Sequence, residues 1–406
     1  MIRRETSMSD VIASYYFRPR GDTTPEEAAQ ALADEETTGT WTGVTTRMEY
    51  VKRLDGAVLD VKPSGNGYIA RISYPADVFE PGNVPQYLSV VAGNLFGLSR
   101  LEVVRFLDFS LPDQLVPFRG PKYGIVGIRQ MMGTTKRPHI GTIIKPKVGL
   151  TPDDTASVAY QSAIGGIDLI KDDETLTDQK FCPIEERVPK VMAKLEEARE
   201  ETGHQVLYAV NITTRGDQIV ERAEHAIALG ANMIMIDVIT AGFGALQALG
   251  EASGIRVPIH VHRTMHAAMT RNPEHGIAMR PLARLVRMLG GDQLHTGTVS
   301  GKMAHAAEEV TGDNRVLTEP AFGMKQTFPV SSGGLHPGKV EMELSTLGTD
   351  IILQAGGGIH GHPSGTAAGA RAMRQAVDAF MAGIPVREYA KDHFELEQAL
   401  RLWGTA

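Results

Sequence analysis

Gly165-Gly166-Ile167-Asp168-Leu169-Ile170-Lys171-Asp172-Asp173-Glu174 is an apolar strand pattern that breaks abruptly into one lysine and three carboxylates. Side chains alternate along a strand, so Ile167, Leu169, Lys171 and Asp173 share one face, and Glu174 follows where the strand opens into a loop. An ammonium cannot ligate a cation, but a neutral lysine amine can add carbon dioxide and become a carbamate, an anionic oxygen donor. Lys171, Asp173 and Glu174 would then aim three oxygen anions at one point. Such a set suits a hard ion, and Mg²⁺ above others because it keeps positions open for water and substrate oxygens. An isolated Lys-Asp-Asp-Glu is more often a solvated strand end, so the weight of the reading falls on the rest of the chain.

Outward from this stretch, apolar runs of strand length alternate with amphipathic segments from about residue 120 onward. Strands are expected at 141–147, 167–173, 206–213, 233–238, 258–263, 293–298, 327–331 and 351–355, with helices such as 185–202, 219–229, 279–289 and 366–382 between them. Eight strand-helix units close a (β/α)₈ barrel, whose chemistry sits at the C-terminal ends of the strands. There the chain carries Lys145 and Lys147, Lys171 with Asp173 and Glu174, His262 with Arg263, His295, Ser332, and Gly356-Gly357-Gly358. Each alone has a bland explanation: a lone histidine is usually structural and a triple glycine often only a turn. Their convergence on one end of one barrel is what points to an active site.

The first 120 residues differ and read as a small α+β domain, with strands at 10–19 and 67–74 and helices at 24–33 and 85–96. The expected organisation is therefore an N-terminal domain at 1–120 and a catalytic barrel with a helical tail at 121–406. The segment 34–42 is the most polar loop of the first domain, with hydroxyls, a glycine and the Trp41 indole, and by itself reads as surface.

Composition narrows the function classes. With 406 residues, 42% hydrophobic, there is material for one large domain and a smaller one. A formal charge of −7 with both signs interspersed, and no basic stripe, argues against a nucleic-acid partner. No apolar run reaches membrane-spanning length and the chain opens on a polar segment, so no membrane association is expected and a cytoplasmic location is. Cys182 is the only cysteine, which rules out an intramolecular disulfide or a multi-cysteine zinc site.

Several motifs, in order and spacing, resemble the large subunit of the ribulose-1,5-bisphosphate carboxylase/oxygenase family from about residue 11 onward. They are Thr38-Gly39-Thr40-Trp41, Ala92-Gly93-Asn94-Leu95-Phe96-Gly97, Gly141-Thr142-Ile143-Ile144-Lys145-Pro146-Lys147, Lys171-Asp172-Asp173-Glu174, His262-Arg263-Thr264-Met265-His266, His295-Thr296-Gly297-Thr298-Val299-Ser300-Gly301-Lys302 and Ser332-Gly333-Gly334. Other stretches, including Ser332-Gly333-Gly334-Leu335-His336-Pro337-Gly338, are similar to the archaeal form III enzymes in particular.

The resemblance implies a Mg²⁺-dependent lyase that carboxylates ribulose 1,5-bisphosphate through an enediolate to 3-phosphoglycerate, with an oxygenase side reaction. Position by position, it implies that Lys171 is carbamylated by carbon dioxide, holds Mg²⁺ with Asp173 and Glu174, and abstracts a proton. Lys145 would protonate the final carbanion with Lys147 beside it, and His262 would assist proton transfer. Lys302 would close over the substrate on the loop after the sixth strand, paired with Glu35. Glu35 and Asn94 would come from a neighbouring subunit, making a homodimer or a ring of dimers with shared sites and no small subunit. One phosphate would meet Thr40, Trp41, Gly334, Gly356 and Gly357, where a following helix N-terminus adds its dipole. The other would meet Arg263, His295 and Ser332, with Gly333 in the same motif.

The chain departs from the pattern in places. Met303-Ala304-His305-Ala306 follows Lys302 without the usual Glu-Gly, Thr264 stands in place of alanine, and the connection 316–329 is short. The family also holds carboxylase-like enolases, isomerases and decarboxylases of other sugar phosphates, and these stay open as alternatives. A non-catalytic sugar-phosphate-binding protein is a third, although such a protein would have no use for Lys145, Lys171, Asp173, Glu174 and Lys302 together.

Overall fold

The computed structural model describes residues 10–40, 42–300 and 307–405. In chain order its strands are β1 Val11–Pro19, β2 Ala57–Ser64, β3 Gly67–Tyr74, β4 Leu101–Ser110, β5 His139–Ile143, β6 Leu169–Lys171, β7 Leu207–Asn211, β8 Met233–Asp237, β9 Ile259–His262, β10 Gly276–Ile277, β11 Gln293–His295, β12 Phe328–Ser332 and β13 Ile352–Ala355. They divide between two compact units, Met1–Phe118 with Met265–Met288, and Arg119–Thr264 with Leu289–Ala406.

In the first unit the sheet order is β10-β4-β1-β3-β2. Along β1 buried and half-buried residues alternate, as expected of an antiparallel strand with one face on a core. The helix Pro25–Glu35 starts on a capping box, in which Thr24 Oγ1 accepts from Glu27 N at 3.2 Å and Glu27 Oε2 accepts from Thr24 N at 3.0 Å. This helix runs two residues beyond the expected one, so Glu35 ends a helix and does not lie in a loop. Strands β2 and β4 are additions to the sequence reading. A further difference is that Met265–Met288, read as barrel, clusters with this unit. Two contacts explain it: β10 continues the sheet through Ala278 N to Phe106 O at 2.8 Å, and Arg284 pairs with Asp108 at 3.0 Å from the helix Met279–Met288.

In the second unit eight parallel strands close the barrel in the order β11-β12-β13-β5-β6-β7-β8-β9. Every residue of β7 and β8 is buried, the mark of strands covered on both faces. The floor of the barrel is one apolar cluster: Leu169, Leu207, Ala209, Met233, Met235, Phe328, Val330 and Ile352 from the strands, closed from below by Ile125, Ile128 and Met132 around the helix Gly124–Met131. All eight expected barrel strands are present. Their C-terminal ends come two or more residues sooner than expected in four cases: β5 stops at Ile143, β6 at Lys171, β7 at Asn211 and β11 at His295. Lys145 and Lys147 therefore stand on the loop after β5, not on one strand face.

Candidate active site

The loops after β5, β6, β12 and β13 and the ends of β9 and β11 enclose a cavity of about 470 Å³ lined by Lys145, Lys147, Lys171, Glu174, His262, His295, Ser332, Gly333, Gly334, Gln354, Gly356 and Gly357. Twelve of the residues that line it thus include most of the barrel positions expected from the sequence, with Gln354 as an addition.

Lys171, at the end of β6, is 1% exposed, and its Nζ donates to the Asp172 carbonyl at 2.7 Å while lying 3.6 Å from Glu174 Oε2. Burial pulls its pKa down from the ordinary lysine value, against the raising pull of Glu174, Asp173 and Asp237. A depressed lysine is the kind that offers a neutral amine. Lys145 Nζ donates to Asp173 Oδ2 at 2.8 Å. Burial alone would raise the Asp173 pKa, but Lys145 and the Thr175 hydroxyl and amide outweigh it and hold the carboxyl below its usual range. Glu174 is lowered in the same way, Lys171 and His262 outweighing burial. Both carboxylates are thus kept ionised.

The middle carboxylate of the run does something else. Asp172 points away from the cavity into a buried cluster where it accepts from Tyr208 Oη at 2.5 Å, Asn211 N at 3.0 Å and Arg187 Nη2 at 3.2 Å. Asn211 Nδ2 in turn donates to the carbonyls of Asp173 and Glu174 at 3.3 and 3.2 Å. These bonds fix the backbone on which Lys171, Asp173 and Glu174 are displayed.

His262 ends β9, and its Nδ1 lies 2.7 Å from Asp237 Oδ1 at the end of β8. The carboxylate holds a proton on Nδ1, which turns Nε2 toward Glu174, 3.9 Å away. Asp237 was not foreseen; an acidic residue closing an apolar strand next to a histidine strand was the available signal. On the neighbouring strand β11, His295 packs its ring 4.7 Å from that of His262, and its Nδ1 lies 2.6 Å from Ser332 Oγ. Beyond Ser332, Gly333 and Gly334 have φ of 122° and 82°, a conformation that a side chain would oppose.

Gln354 on β13 is 1% exposed, lines the cavity, and neither its Oε1 nor its Nε2 has a hydrogen-bond partner among the described residues. An unpaired buried amide costs on the order of 1–3 kcal/mol. Its place is kept open by the residue opposite it on β5: a Cβ at Gly141 would fall 1.9 Å from Gln354 Oε1. A lone amide in the apolar run Ile351-Ile352-Leu353-Gln354-Ala355, directly before three glycines, was the sequence signal for it. Trp403, from the C-terminal helix Phe394–Trp403, also lines the cavity and had no such signal.

Other expected residues fall elsewhere. Arg263 is not among those lining the cavity; it is 6% exposed, and burial lowers its pKa to about 10 against the opposing pull of Asp313. The helix after Gly356 is only Gly357–His360, so it offers local backbone amides and little of the expected macrodipole. Lys302 and Trp41 lie outside the described residues. Glu35, Thr40 and Asn94 belong to the first unit. There Glu36 accepts from Leu95 N at 2.9 Å and Gly93 N at 3.3 Å, tying the Asn94 turn to the helix end that bears Glu35. Burial lifts the Glu36 carboxyl to about 7 despite these bonds.

Among the described residues no three His, Cys, Asp or Glu side chains converge as a ready metal cage. Asp173 and Glu174 are two oxygen donors, and a third of the same kind is available only if Lys171 becomes an anion. With Glu174, a depressed lysine and an unpaired amide lining one cavity, and ionised Asp173 bonded to the cavity-lining Lys145, the donor set fits a hard cation with an oxygen-rich ligand. No helix among the described residues is long and apolar enough to cross a membrane.

Comparison with known proteins places these features in context. Residues 124–403 match the family described as ribulose bisphosphate carboxylase large chain, catalytic domain, and residues 3–115 match its N-terminal domain. The ribulose bisphosphate carboxylase of Pyrococcus furiosus is 45% identical over 397 residues, covering 97% of this chain and 94% of that protein. That of Methanocaldococcus jannaschii is 43% identical over 399 residues, covering 93% and 94%. Among solved structures, the octameric ribulose-1,5-bisphosphate carboxylase/oxygenase of Pyrococcus horikoshii OT3, in complex with sulfate ion, superposes with a TM-score of 0.94 at 43% identity, covering 100% of this chain and 96% of that one. The dimeric archaeal enzyme of Hyperthermus butylicus gives a TM-score of 0.91 at 38% identity, covering 99% and 98%.

Proposed function

Since the chain belongs to the ribulose bisphosphate carboxylase large-chain family, we propose that its cavity takes ribulose 1,5-bisphosphate, carbon dioxide and water and returns two molecules of 3-phosphoglycerate. The observation that carries this reading is buried Lys171 with its depressed pKa, 3.6 Å from ionised Glu174 in one cavity, with Asp173 two residues along the chain. Lys171 as a carbamate, Asp173 and Glu174 would hold Mg²⁺. Bound there, the ion would supply Lewis-acid polarisation of the sugar carbonyl.

The chain's own groups account for the proton movements. The Lys171 carbamate removes the proton on the carbon next to the carbonyl, leaving an enediolate. His262, with Nδ1 tied to Asp237, turns Nε2 to the cavity and relays a proton between substrate hydroxyls. Carbon dioxide adds to the enediolate carbon, water adds to the new ketone, and cleavage of the carbon–carbon bond leaves a carbanion that the Lys145 ammonium protonates. Asp173 holds that ammonium in place beforehand. Oxygen attacking the same enediolate gives the oxygenase side reaction.

The two phosphates divide between Gly334, Gly356 and Gly357, with Thr40 and Trp41, at one end, and His295 with Ser332, and Arg263 behind them, at the other. Lys147, Gly333 and Gln354 complete the substrate contacts. Glu35 and Asn94 of a neighbouring subunit, with Lys302 of the subunit that supplies the barrel, finish the site in a homodimer or ring of dimers without a small subunit. A cytoplasmic location goes with this reading.

A second reading, a carboxylase-like enolase or decarboxylase of another sugar phosphate, is favoured by Met303-Ala304-His305-Ala306 where carboxylases carry Glu-Gly after the loop lysine. The test is incubation of the purified chain with labelled bicarbonate, Mg²⁺ and ribulose 1,5-bisphosphate. Label in 3-phosphoglycerate is expected; a bound bisphosphate that is never carboxylated would favour the second reading.

A further inference from the structure

Three neighbouring barrel strands carry one unbranched run of hydrogen bonds. Gln293 Oε1 lies 2.7 Å from His260 Nδ1, His260 Nε2 lies 2.8 Å from His295 Nε2, and His295 Nδ1 lies 2.6 Å from Ser332 Oγ. Only the last two of these residues line the cavity. Gln293 and His260 stand behind them, 1% and 0% exposed.

A neutral imidazole has one N–H and one lone pair, so each contact dictates the next. With the Gln293 carbonyl toward His260, the proton of His260 sits on Nδ1 and its Nε2 accepts from His295 Nε2–H. His295 Nδ1 is then left to accept the Ser332 hydroxyl proton, and Ser332 shows the cavity only lone pairs. If the Gln293 amide turns over, its NH₂ donates to His260 Nδ1. The ring protons then sit on His260 Nε2 and His295 Nδ1, the latter donating to Ser332 Oγ and freeing the hydroxyl proton for the cavity. Both states hold the same number of protons and no net charge, the rings exchanging through solvent. The two orientations of an amide fill the same volume, so no repacking is needed. Burial keeps both rings neutral, pulling His260 down to about 3 and His295 well below the ordinary histidine range.

An oxyanion without protons is repelled by a hydroxyl that offers only lone pairs, and a hydroxyl proton turned to the anion would leave His295 Nδ1 without its donor. We propose that Gln293 and His260 are positioning residues forming a two-state relay, in which an acceptor-only phosphate or sulfate group at Ser332 selects the reversed Gln293 amide and the exchanged tautomers of His260 and His295. This rests on the reading that His295 and Ser332 meet a substrate phosphate, and it adds the element that sets which face they present.

Sulfate, which carries no proton at neutral pH, is the probe. The full-length chain labelled with ¹⁵N-histidine gives each ring's tautomer from its two nitrogen signals, assigned with a His260→Gln variant. Sulfate affinity is measured by calorimetry on the wild type and on Ser332→Ala. Expected are sulfate binding about tenfold weaker in Ser332→Ala, and exchange of both tautomers when wild type is saturated. Saturation with unchanged tautomers overturns the relay while leaving the anion site standing. Sulfate that does not bind, or binds Ser332→Ala equally well, overturns both. In Gln293→Met the resting preference should disappear, both tautomers being present before sulfate is added; a single resting tautomer there would remove Gln293 from the selecting role.

Discussion

Where the barrel strands begin, Asp168 accepts from Arg137 Nη1 and Nη2 at 2.8 and 2.6 Å, from Arg374 Nη2 at 2.7 Å and from Ile140 N at 2.8 Å. Where the same strand ends, Lys171 is left 3.6 Å from Glu174, and two strands away at the same end the Gln354 amide finds no partner among the described residues. Both places are buried, so the contrast lies in how their polar groups are satisfied. At the first, every strong acceptor is answered from within the chain, which is what rigidity requires. At the second, charge is desolvated without full compensation, and under the proposed function a carbon dioxide molecule, a cation or a substrate would complete it. The closed end stabilises the fold, and the open end is where the proposed chemistry falls.

Four substitutions or conditions sharpen that difference. Lys171→Ala should reduce carboxylation by about 10⁴-fold or more while leaving the melting temperature unchanged or higher, because a desolvated amine is removed. A drop in melting temperature with retained turnover would reverse the assignment of roles. Asp168→Ala should do the opposite, costing about 3–5 kcal/mol in denaturant unfolding by stranding Arg137 and Arg374, with turnover per folded molecule preserved.

Acid should act on both ends. Burial holds His139 and His360 at about 4 and His260 at about 3, below the value of 6.5 they regain on unfolding. Their neutral forms belong to the fold and their charged forms to the unfolded chain. Stability is therefore full above about pH 6.5 and is lost below it, by on the order of 1.4 kcal/mol per pH unit for each such ring until its folded value is reached. Urea midpoints at pH 7.5, 6.0 and 5.0 would measure this, and a flat profile would contradict it. The smallest effect is expected of Gln354→Met, which should leave stability unchanged or raise it by about 1 kcal/mol while weakening bisphosphate binding; a loss of stability would mean that the amide is satisfied inside the protein.

The barrel was legible because strands such as Met233–Asp237, buried on both faces, are written as continuous apolar runs that need no partner to be recognised. Strand β4 was not, since Glu102, Arg105 and Asp108 interrupt its pattern, and Asp108 finds its partner, Arg284, far along the chain. In the site, Lys171, Asp173 and Glu174 stood out as charge at the end of an apolar strand. What supports them did not: Asp172 reads as one more carboxylate of the run until Arg187 and Tyr208 fold against it. Likewise Gln293 and His260 look like ordinary core polar residues, because a hydrogen-bonded chain across three strands exists only once the barrel has closed.

The two-residue strand β10 has a consequence for how the protein is made. It pairs with β4 in parallel, Gly276 opposite Arg105 and Ile277 opposite Phe106, yet β5 to β9 lie between the two in the chain. On the ribosome the N-terminal sheet must therefore wait, with the outer edge of β4 uncovered, while five barrel strands are synthesised. An unpaired edge is a template for any other extended chain. The interval before Gly276 emerges is thus the period of greatest exposure to misassembly, and the stretch where a chaperone would serve this protein most.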